Sequence, residues 1–317
     1  MLELRRAAAG RMKPTPRVAA LLVVPPLLWA GNAMVGRLFA DSVPPLFLNA
    51  ARWCAAVLLL LPLGWRAIGS APRRAEVRAR WKPLALLGLL GVGSYNALQY
   101  LALQTSTPIN VTLIASSVPV WSLGVGALLY RERPHRAQWL SAALSLAGVL
   151  VVLVRGEPAR LATIRFVAGD LWMLLAALSW ALYSWQLARP PAALAGRQRP
   201  AWTWSEFLLL QALFGLVFAG AAAAGEAATS EHALRLTPGF ALALVFLAIG
   251  PSLLAYRCWG LGVAAAGPTV AGFFSNLTPL FAALFSAVLL GEGPRPYHGF
   301  AFVLIVAGIV VSSRRRG

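Results

Sequence analysis

Tyr95–Glu132 reads YNALQYLALQTSTPINVTLIASSVPVWSLGVGALLYRE, and Leu254–Glu292 reads LAYRCWGLGVAAAGPTVAGFFSNLTPLFAALFSAVLLGE. The second stretch echoes the first at an offset of 160 residues. Pro108, Pro119, Glu132 and Gly148 recur as Pro268, Pro279, Glu292 and Gly308, with no gap between the first pair and the last. Leu101, Ala127, Leu129, Leu144, Ala147 and Val151 match Leu261, Ala287, Leu289, Leu304, Ala307 and Val311 at the same spacing. Both stretches are apolar and helical in pattern. Two related apolar halves point to the internal-repeat architecture of secondary transporters.

Working outward, the whole chain shares this character. Apolar residues make up 59 % of it and charged residues 12 %, and the mean hydropathy is +0.70. A soluble domain carries about 45–50 % apolar and about 25 % charged residues, so lipid is the expected solvent for much of this surface. At roughly 20 residues per span, the apolar runs predict an all-α membrane protein of about ten transmembrane helices. They fall near 18–40, 45–65, 83–104, 107–130, 136–154, 167–188, 203–224, 238–261, 266–290 and 296–313.

The net charge of +18 suggests a nucleic-acid binder at first sight. Its distribution argues otherwise. With the N-terminus placed in the cytoplasm, 20 of the 28 Lys and Arg residues fall in cytoplasmic segments, among them Arg66, Arg73, Arg74, Arg131, Arg133 and Arg189. Only five, Arg155, Arg160, Arg165, Arg235 and Arg295, fall in outer loops. That bias follows the positive-inside rule and leaves no folded domain to carry the charge to nucleic acid. It predicts a multi-pass protein of the inner (plasma) membrane with both termini cytoplasmic. The first apolar run is long enough to span and has no suitable cleavage site, so it reads as a helix rather than a signal peptide. Cys54 and Cys258 read as small buried residues, not as a disulfide or metal pair. Arg outnumbers Lys by 26 to 2, which fits a GC-rich bacterial genome.

The expected organisation is a basic N-terminus over 1–17, a five-helix repeat over 18–154 and an outer linker over 155–166. A second five-helix repeat follows over 167–313, and a basic C-terminus over 314–317. Five is odd, so the second repeat enters the membrane inverted relative to the first. Substrate sites in such inverted repeats lie near the pseudo-two-fold axis at mid-depth. The basic loop 66–82, flanked by Trp65 and Trp81, is expected to lie on anionic headgroups. The loop 189–202, with Pro190, Pro191 and Pro200, reads as a stiff connector.

The two quoted stretches resemble the EamA-type repeat of the drug/metabolite transporter superfamily: an aromatic-rich helix, a tight turn, a helix broken by proline, and a glutamate at the helix end. The resemblance covers about residues 18–313. It implies a ten-helix exporter or exchanger of small metabolites, often amino acids or related compounds, and does not choose among substrate classes.

Polar and aromatic residues at mid-membrane are the candidate site. They are Trp29 and Asn32 in the first helix, Tyr95, Asn96 and Gln99 in the third, Ser116 in the fourth, and Trp180 and Tyr183 in the sixth. Ser252 and Tyr256 follow in the eighth, and Asn276 in the ninth. Polar groups in hydrocarbon are costly and should face one another or a cavity, and aromatic walls with a few amides suit a small amphipathic molecule. For any single serine or threonine, interhelical hydrogen bonding without a ligand is the simpler reading. Pro119 and Pro279 each remove a backbone hydrogen bond and are read as kinks or hinges. Glu132 and Glu292 are read as structural or gating groups at helix ends, paired with Arg131 or Arg133 and with Arg295. Arg52 and Arg257, near helix ends, read first as snorkelling side chains, with an anion-facing role as the alternative for Arg257 ahead of Arg52, and Arg37 is expected to snorkel.

No acidic residue or histidine falls at mid-membrane, so a deep proton relay is not expected. Proton coupling would have to use a peripheral group such as Glu206 or Asp170. The same scarcity argues against a membrane-embedded lipid-modifying enzyme, which needs clustered ligands or nucleophiles. A passive channel is the other alternative to alternating access. No cofactor or metal is expected, and no Walker loop is present. The expected partners are a small-molecule substrate and membrane lipid.

Overall fold

In hydrocarbon every backbone N–H and C=O must find a partner within the chain, which leaves helices as the economical solution for these apolar runs. The computed structural model describes residues 15–39, 42–106, 108–163, 165–229, 234, 237–290 and 295–312. All regular elements among them are helical. Ten apolar elements follow in order: α1 (Pro16–Leu38), α2 (Pro45–Gly64), α3 (Trp81–Thr105), α4 (Pro108–Ala115 and Val118–Tyr130) and α5 (Arg136–Leu153). The second half holds α6 (Ala168–Ala188), α7 (Trp204–Thr229), α8 (Pro238–Leu247 continuing to Ala266), α9 (Pro268–Ser275 and Thr278–Leu290) and α10 (Pro296–Ser312). Nine stretches of the described residues are long and apolar enough to cross a membrane, and α10 is a shorter apolar helix. The basic N-terminus up to residue 14, residues 313–317, and Glu292 lie outside the described residues.

Two helix ends differ from the sequence expectation. The seventh helix runs five residues further, through the alanine- and glycine-rich stretch to Thr229. The eighth ends at Ala266 rather than 261, because Ala264, Ala265 and Ala266 are strong helix formers. The turn into α9 is then one residue, Gly267, at φ +85°, a backbone conformation that costs glycine nothing.

Packing repeats with the sequence. Helix α3 packs on α6 and α8 on α1, while α4 packs on α6 and α9 on α1. Exchanging each helix with its repeat partner turns one list into the other. Helix α7 also packs on α3 and α2 on α8, the same exchange again, while α2 with α7, α5 with α10 and α4 with α9 pair a helix with its own counterpart. The halves therefore interlock. At the α5–α10 crossing a Cβ on Gly148 would lie 2.9 Å from the Ala301 carbonyl oxygen, and one on Gly308 would lie 2.9 Å from that of Ser141. Only glycine lets these backbones approach so closely, which explains a repeated residue that carries no chemistry.

Polar groups at the helix starts are satisfied by carboxylates. Asp170 accepts from the Val167 N–H at 2.8 Å and from the Ser106 hydroxyl. Glu206 accepts from the Thr203 N–H at 2.6 Å, and the Thr203 hydroxyl accepts from the Glu206 N–H at 3.2 Å. This is a reciprocal capping box. Glu226, at the end of α7, accepts from Leu46 and Phe47 N–H at 3.0 and 2.9 Å and closes the start of α2. At the other end of the bundle, Arg80 donates to the carbonyls of Ala193 and Gln198 at 2.8 and 2.9 Å. It thereby joins the basic 66–82 segment to the proline-rich 189–202 connector.

Candidate functional site

At the middle of the bundle the aromatic residues of four helices meet around Trp180, which is 3 % exposed. Its ring lies 5.0 Å from Trp29 (α1), 5.1 Å from Tyr95 (α3) and 5.1 Å from Tyr183 (α6), centroid to centroid. Tyr256 and Trp259, both of α8, lie 5.6 and 5.4 Å away. Trp29 and Tyr95 are half-buried; the others are buried. The tilted and edge-to-face geometries suit the ring quadrupoles. Trp259, one turn beyond Tyr256, was not anticipated; its indole N–H donates to the Ser184 hydroxyl at 3.1 Å.

Beside this cluster sits a polar one. Asn32 accepts from the Tyr100 hydroxyl and from Arg52 Nη1, both at 3.0 Å, and donates to Asn96 at 3.4 Å. Arg52 Nε donates to the Ser252 hydroxyl at 3.1 Å, and that hydroxyl donates to the Leu247 carbonyl at 2.8 Å. Tyr256 connects the two regions. Its ring is 5.0 Å from Trp53, and its hydroxyl donates to the Gly91 carbonyl.

That carbonyl lies in a stretch where α3 widens into a π-helix, Gly88–Ser94. Successive carbonyls there accept from side chains of other helices: Leu90 from Ser179 at 2.8 Å, Gly91 from Tyr256, and Val92 from Asn49 at 3.3 Å. Helix α8 has a π-helix over Ala248–Leu254, 160 residues on. Such wide turns concentrate at functional sites. Pro251 within the second one lacks an N–H, so a regular α-turn is already compromised there.

Pro119 and Pro279 stand just after two helix breaks. The first piece of α4 stops at Ala115 and the first piece of α9 at Ser275. Ser116 donates to the Thr112 carbonyl at 2.8 Å, so its hydroxyl hydrogen is committed locally. Its counterpart Asn276 is 1 % exposed, and neither of its amide atoms has a partner. The breaks meet: a Cβ on Gly272 would touch Pro119 Cα at 3.4 Å.

Other candidates stand apart. Arg257 is exposed, with its guanidinium 4.3 Å from the Trp204 ring centroid, away from the aromatic cluster. Gln99 is half-buried. Glu132 pairs with Arg189 at the end of α6, not with its neighbours Arg131 or Arg133. The reason is local: Arg131 takes the left-handed conformation at φ 56° and turns the chain toward α6, where Tyr130 stacks on Trp185 at 4.6 Å.

The profile of the EamA-like transporter family matches residues 17–154 and again 167–314. The chain belongs to that family. This EamA-like protein is thus a multi-pass membrane transporter rather than an enzyme. It is 24 % identical to an uncharacterized transporter of Archaeoglobus fulgidus over 93 % of this chain and 97 % of that one. It is 25 % identical to the Escherichia coli inner membrane transporter YedA, covering 90 % and 87 % of the two chains. It is 27 % identical to a probable terminal-alkyne amino-acid exporter of Streptantibioticus cattleyicolor, covering 93 % and 92 %. A crystal structure 24 % identical in sequence superposes with a TM-score of 0.72, covering 93 % of this chain and 97 % of the other, which establishes a shared fold.

Arg52 is the buried polar residue of this EamA-like chain that the sequence understated. Its depth of about 10 Å from the helix start suggested snorkelling. The signal against that was Asn49, three residues earlier on the same helical face. Both are 0 % exposed, so this face looks into the bundle.

Proposed function

We propose that this transporter moves a small amphipathic metabolite, an amino acid or related compound, by alternating access at the aromatic–amide cluster. The carrying observation is that Trp29, Tyr95, Trp180 and Tyr256, drawn from both repeats, converge on one another, and that buried Asn276 at the α9 break has no internal partner. An aromatic wall with a few amide groups fits such a molecule. The amino-acid exporter among the relatives supports the class. Aromatic contacts flank the cluster on both sides and are the parts that must separate. Phe39 meets Phe240 at 5.5 Å toward one end, and Tyr130 meets Trp185 toward the other. The Glu132–Arg189 pair sits beside the second contact. Half-exposed pairs contribute only about 0–1 kcal/mol, so it biases the opening rather than locking it.

The test is exchange flux in proteoliposomes, screened against a panel of amino acids and amphiphilic cations. Alternating access predicts that unlabelled substrate inside accelerates uptake of label from outside. A channel shows no such acceleration, and its absence would sink the reading. Asn276→Ala should weaken binding a few-fold to about tenfold, the cost of one hydrogen bond. Trp180→Phe is the right wall variant. Trp180→Ala would empty a fully packed position at a cost of about 3–5 kcal/mol and confound binding with folding.

A further inference from the structure

We infer that Arg52 is the anion-binding group of this transporter and that its substrate carries a carboxylate. The inference rests on the transport reading above and specifies its substrate.

Arg52 is 0 % exposed. A guanidinium carries a positive charge and five N–H donors. Two of its nitrogens have partners, Ser252 Oγ and Asn32 Oδ1, and both partners are neutral. The third, Nη2, is buried and has none. Arg73–Glu76, Arg80–Glu76, Arg160–Glu157 and Arg189–Glu132 are ion pairs at helix ends or in loops. None reaches Arg52. Burying a cation without a counter-ion is strongly unfavourable, and an intramembrane charge of this kind marks a functional site.

The surroundings hold the guanidinium still rather than neutralise it. Asn32 is fixed by Tyr100 and Asn96, and Ser252 by the Leu247 carbonyl. The Trp53 ring centroid lies 5.3 Å from the guanidinium carbon. Nearby indole donors are also unspent: Trp53 Nε1 and Trp180 Nε1 are buried without acceptors. Donors in excess, one of them charged, call for an acceptor-rich anion, and a guanidinium fork matches a carboxylate. The aromatic cluster begins next door, since Asn32 is one turn from Trp29 and Ser252 one turn from Tyr256. A carboxylate on Arg52 therefore leaves the apolar part of the same molecule against the rings.

The experiment uses the full-length protein in detergent and reads ligand-induced thermal stabilisation. The probes are leucine and phenylalanine, their deaminated acids 4-methylpentanoate and 3-phenylpropanoate, and their decarboxylated amines 3-methylbutylamine and 2-phenylethylamine. In the wild type the amino acid or the acid of at least one series should stabilise at millimolar concentration, and its amine should not. Arg52→Gln should weaken carboxylate binding about a hundredfold, the worth of a charge-assisted hydrogen bond pair. Arg52→Lys keeps the cation and serves as the folded comparison should Arg52→Gln not assemble. It should retain the preference for carboxylates at about tenfold lower affinity, since an ammonium lacks the planar fork. Arg257→Gln should leave selectivity unchanged. Stabilisation by amines equal to that by acids, no response to any carboxylate, or wild-type carboxylate affinity in the Arg52 variants overturns the inference. Carboxylate-selective binding without exchange flux in liposomes would instead overturn the transport reading and leave the anion site standing.

Discussion

Glu206 and Asp170 are the two acidic side chains nearest the hydrophobic interior, 5 % and 1 % exposed, and each is held by a backbone N–H at a helix start. A carboxylate there faces the positive end of the helix dipole and satisfies an amide that has no intrahelical acceptor. That geometry gives these acids a structural place at the margin of an apolar bundle. It separates two readings that composition left together. Glutamine can make the same contact as glutamate in a capping box. Glu206→Gln should therefore retain exchange flux without a pH gradient, while Glu206→Ala should lower stability by about 0.5–2 kcal/mol in a thermal melt. Flux that required a proton gradient and stopped in Glu206→Gln would make this carboxylate a carrier instead. The residue scale is also where sequence reading was least complete. The aromatic residues Trp29, Tyr95, Trp180 and Tyr256 were legible because large polar-tipped rings at mid-helix are conspicuous. Arg52 and Trp259 were not singled out for the site, because a one-dimensional depth does not say which face of a helix looks inward.

Among the elements, the repeat left marks that no hydropathy profile resolves. The π-helices at Gly88–Ser94 and Ala248–Leu254 correspond position by position, yet the sequence echo becomes legible only beyond them, from Leu101 and Leu261 onward. Their sequences, GLLGVGS and AIGPSLL, share little. An almost uniformly apolar run carries no period from which a wide turn could be read. In the first, three successive carbonyls accept from side chains of α6, α8 and α2. The spans themselves were legible for the opposite reason, since length and apolarity suffice to specify them. The glycine pair belongs to this scale too. Gly148→Ala and Gly308→Ala each push a methyl into a facing carbonyl at 2.9 Å, and overpacking of this kind costs about 1–3 kcal/mol. Each should lower the melting temperature of the purified protein. The double variant should lose less than the sum, because both methyls part the same α5–α10 crossing. Simple additivity would mean that the two glycines relieve unrelated contacts.

For the whole molecule, the solvent decides the surface. Leu58, Leu128, Val217 and Leu242 are 67–83 % exposed, an arrangement that water would punish as an aggregation patch and that acyl chains accept. Orientation in that bilayer then depends on charge. The bundle has two ends, one carrying the linker 155–166 and the other carrying the 66–82 and 189–202 loops that Arg80 ties together. Among the described residues that second side carries most of the basic side chains, from Arg66 to Lys82, Arg131 to Arg136 and Arg189 to Arg199, and moving them across the membrane opposes the insertion bias that sets topology. The expected arrangement places that side, with both termini, in the cytoplasm. The exposed Cys54 and the buried Cys258 are first replaced by alanine, which both positions accommodate as small residues inside helices. A single cysteine is then introduced at Ser70, at Arg316 or at Thr229. In intact cells an impermeant maleimide should label the Thr229→Cys protein and spare the Ser70→Cys and Arg316→Cys proteins until the membrane is opened. Labelling of Ser70→Cys with protection of Thr229→Cys would invert the molecule. Outward labelling of Arg316→Cys alone would require an odd number of crossings, and with it a break in the pairing of α5 with α10 that the two repeats now share.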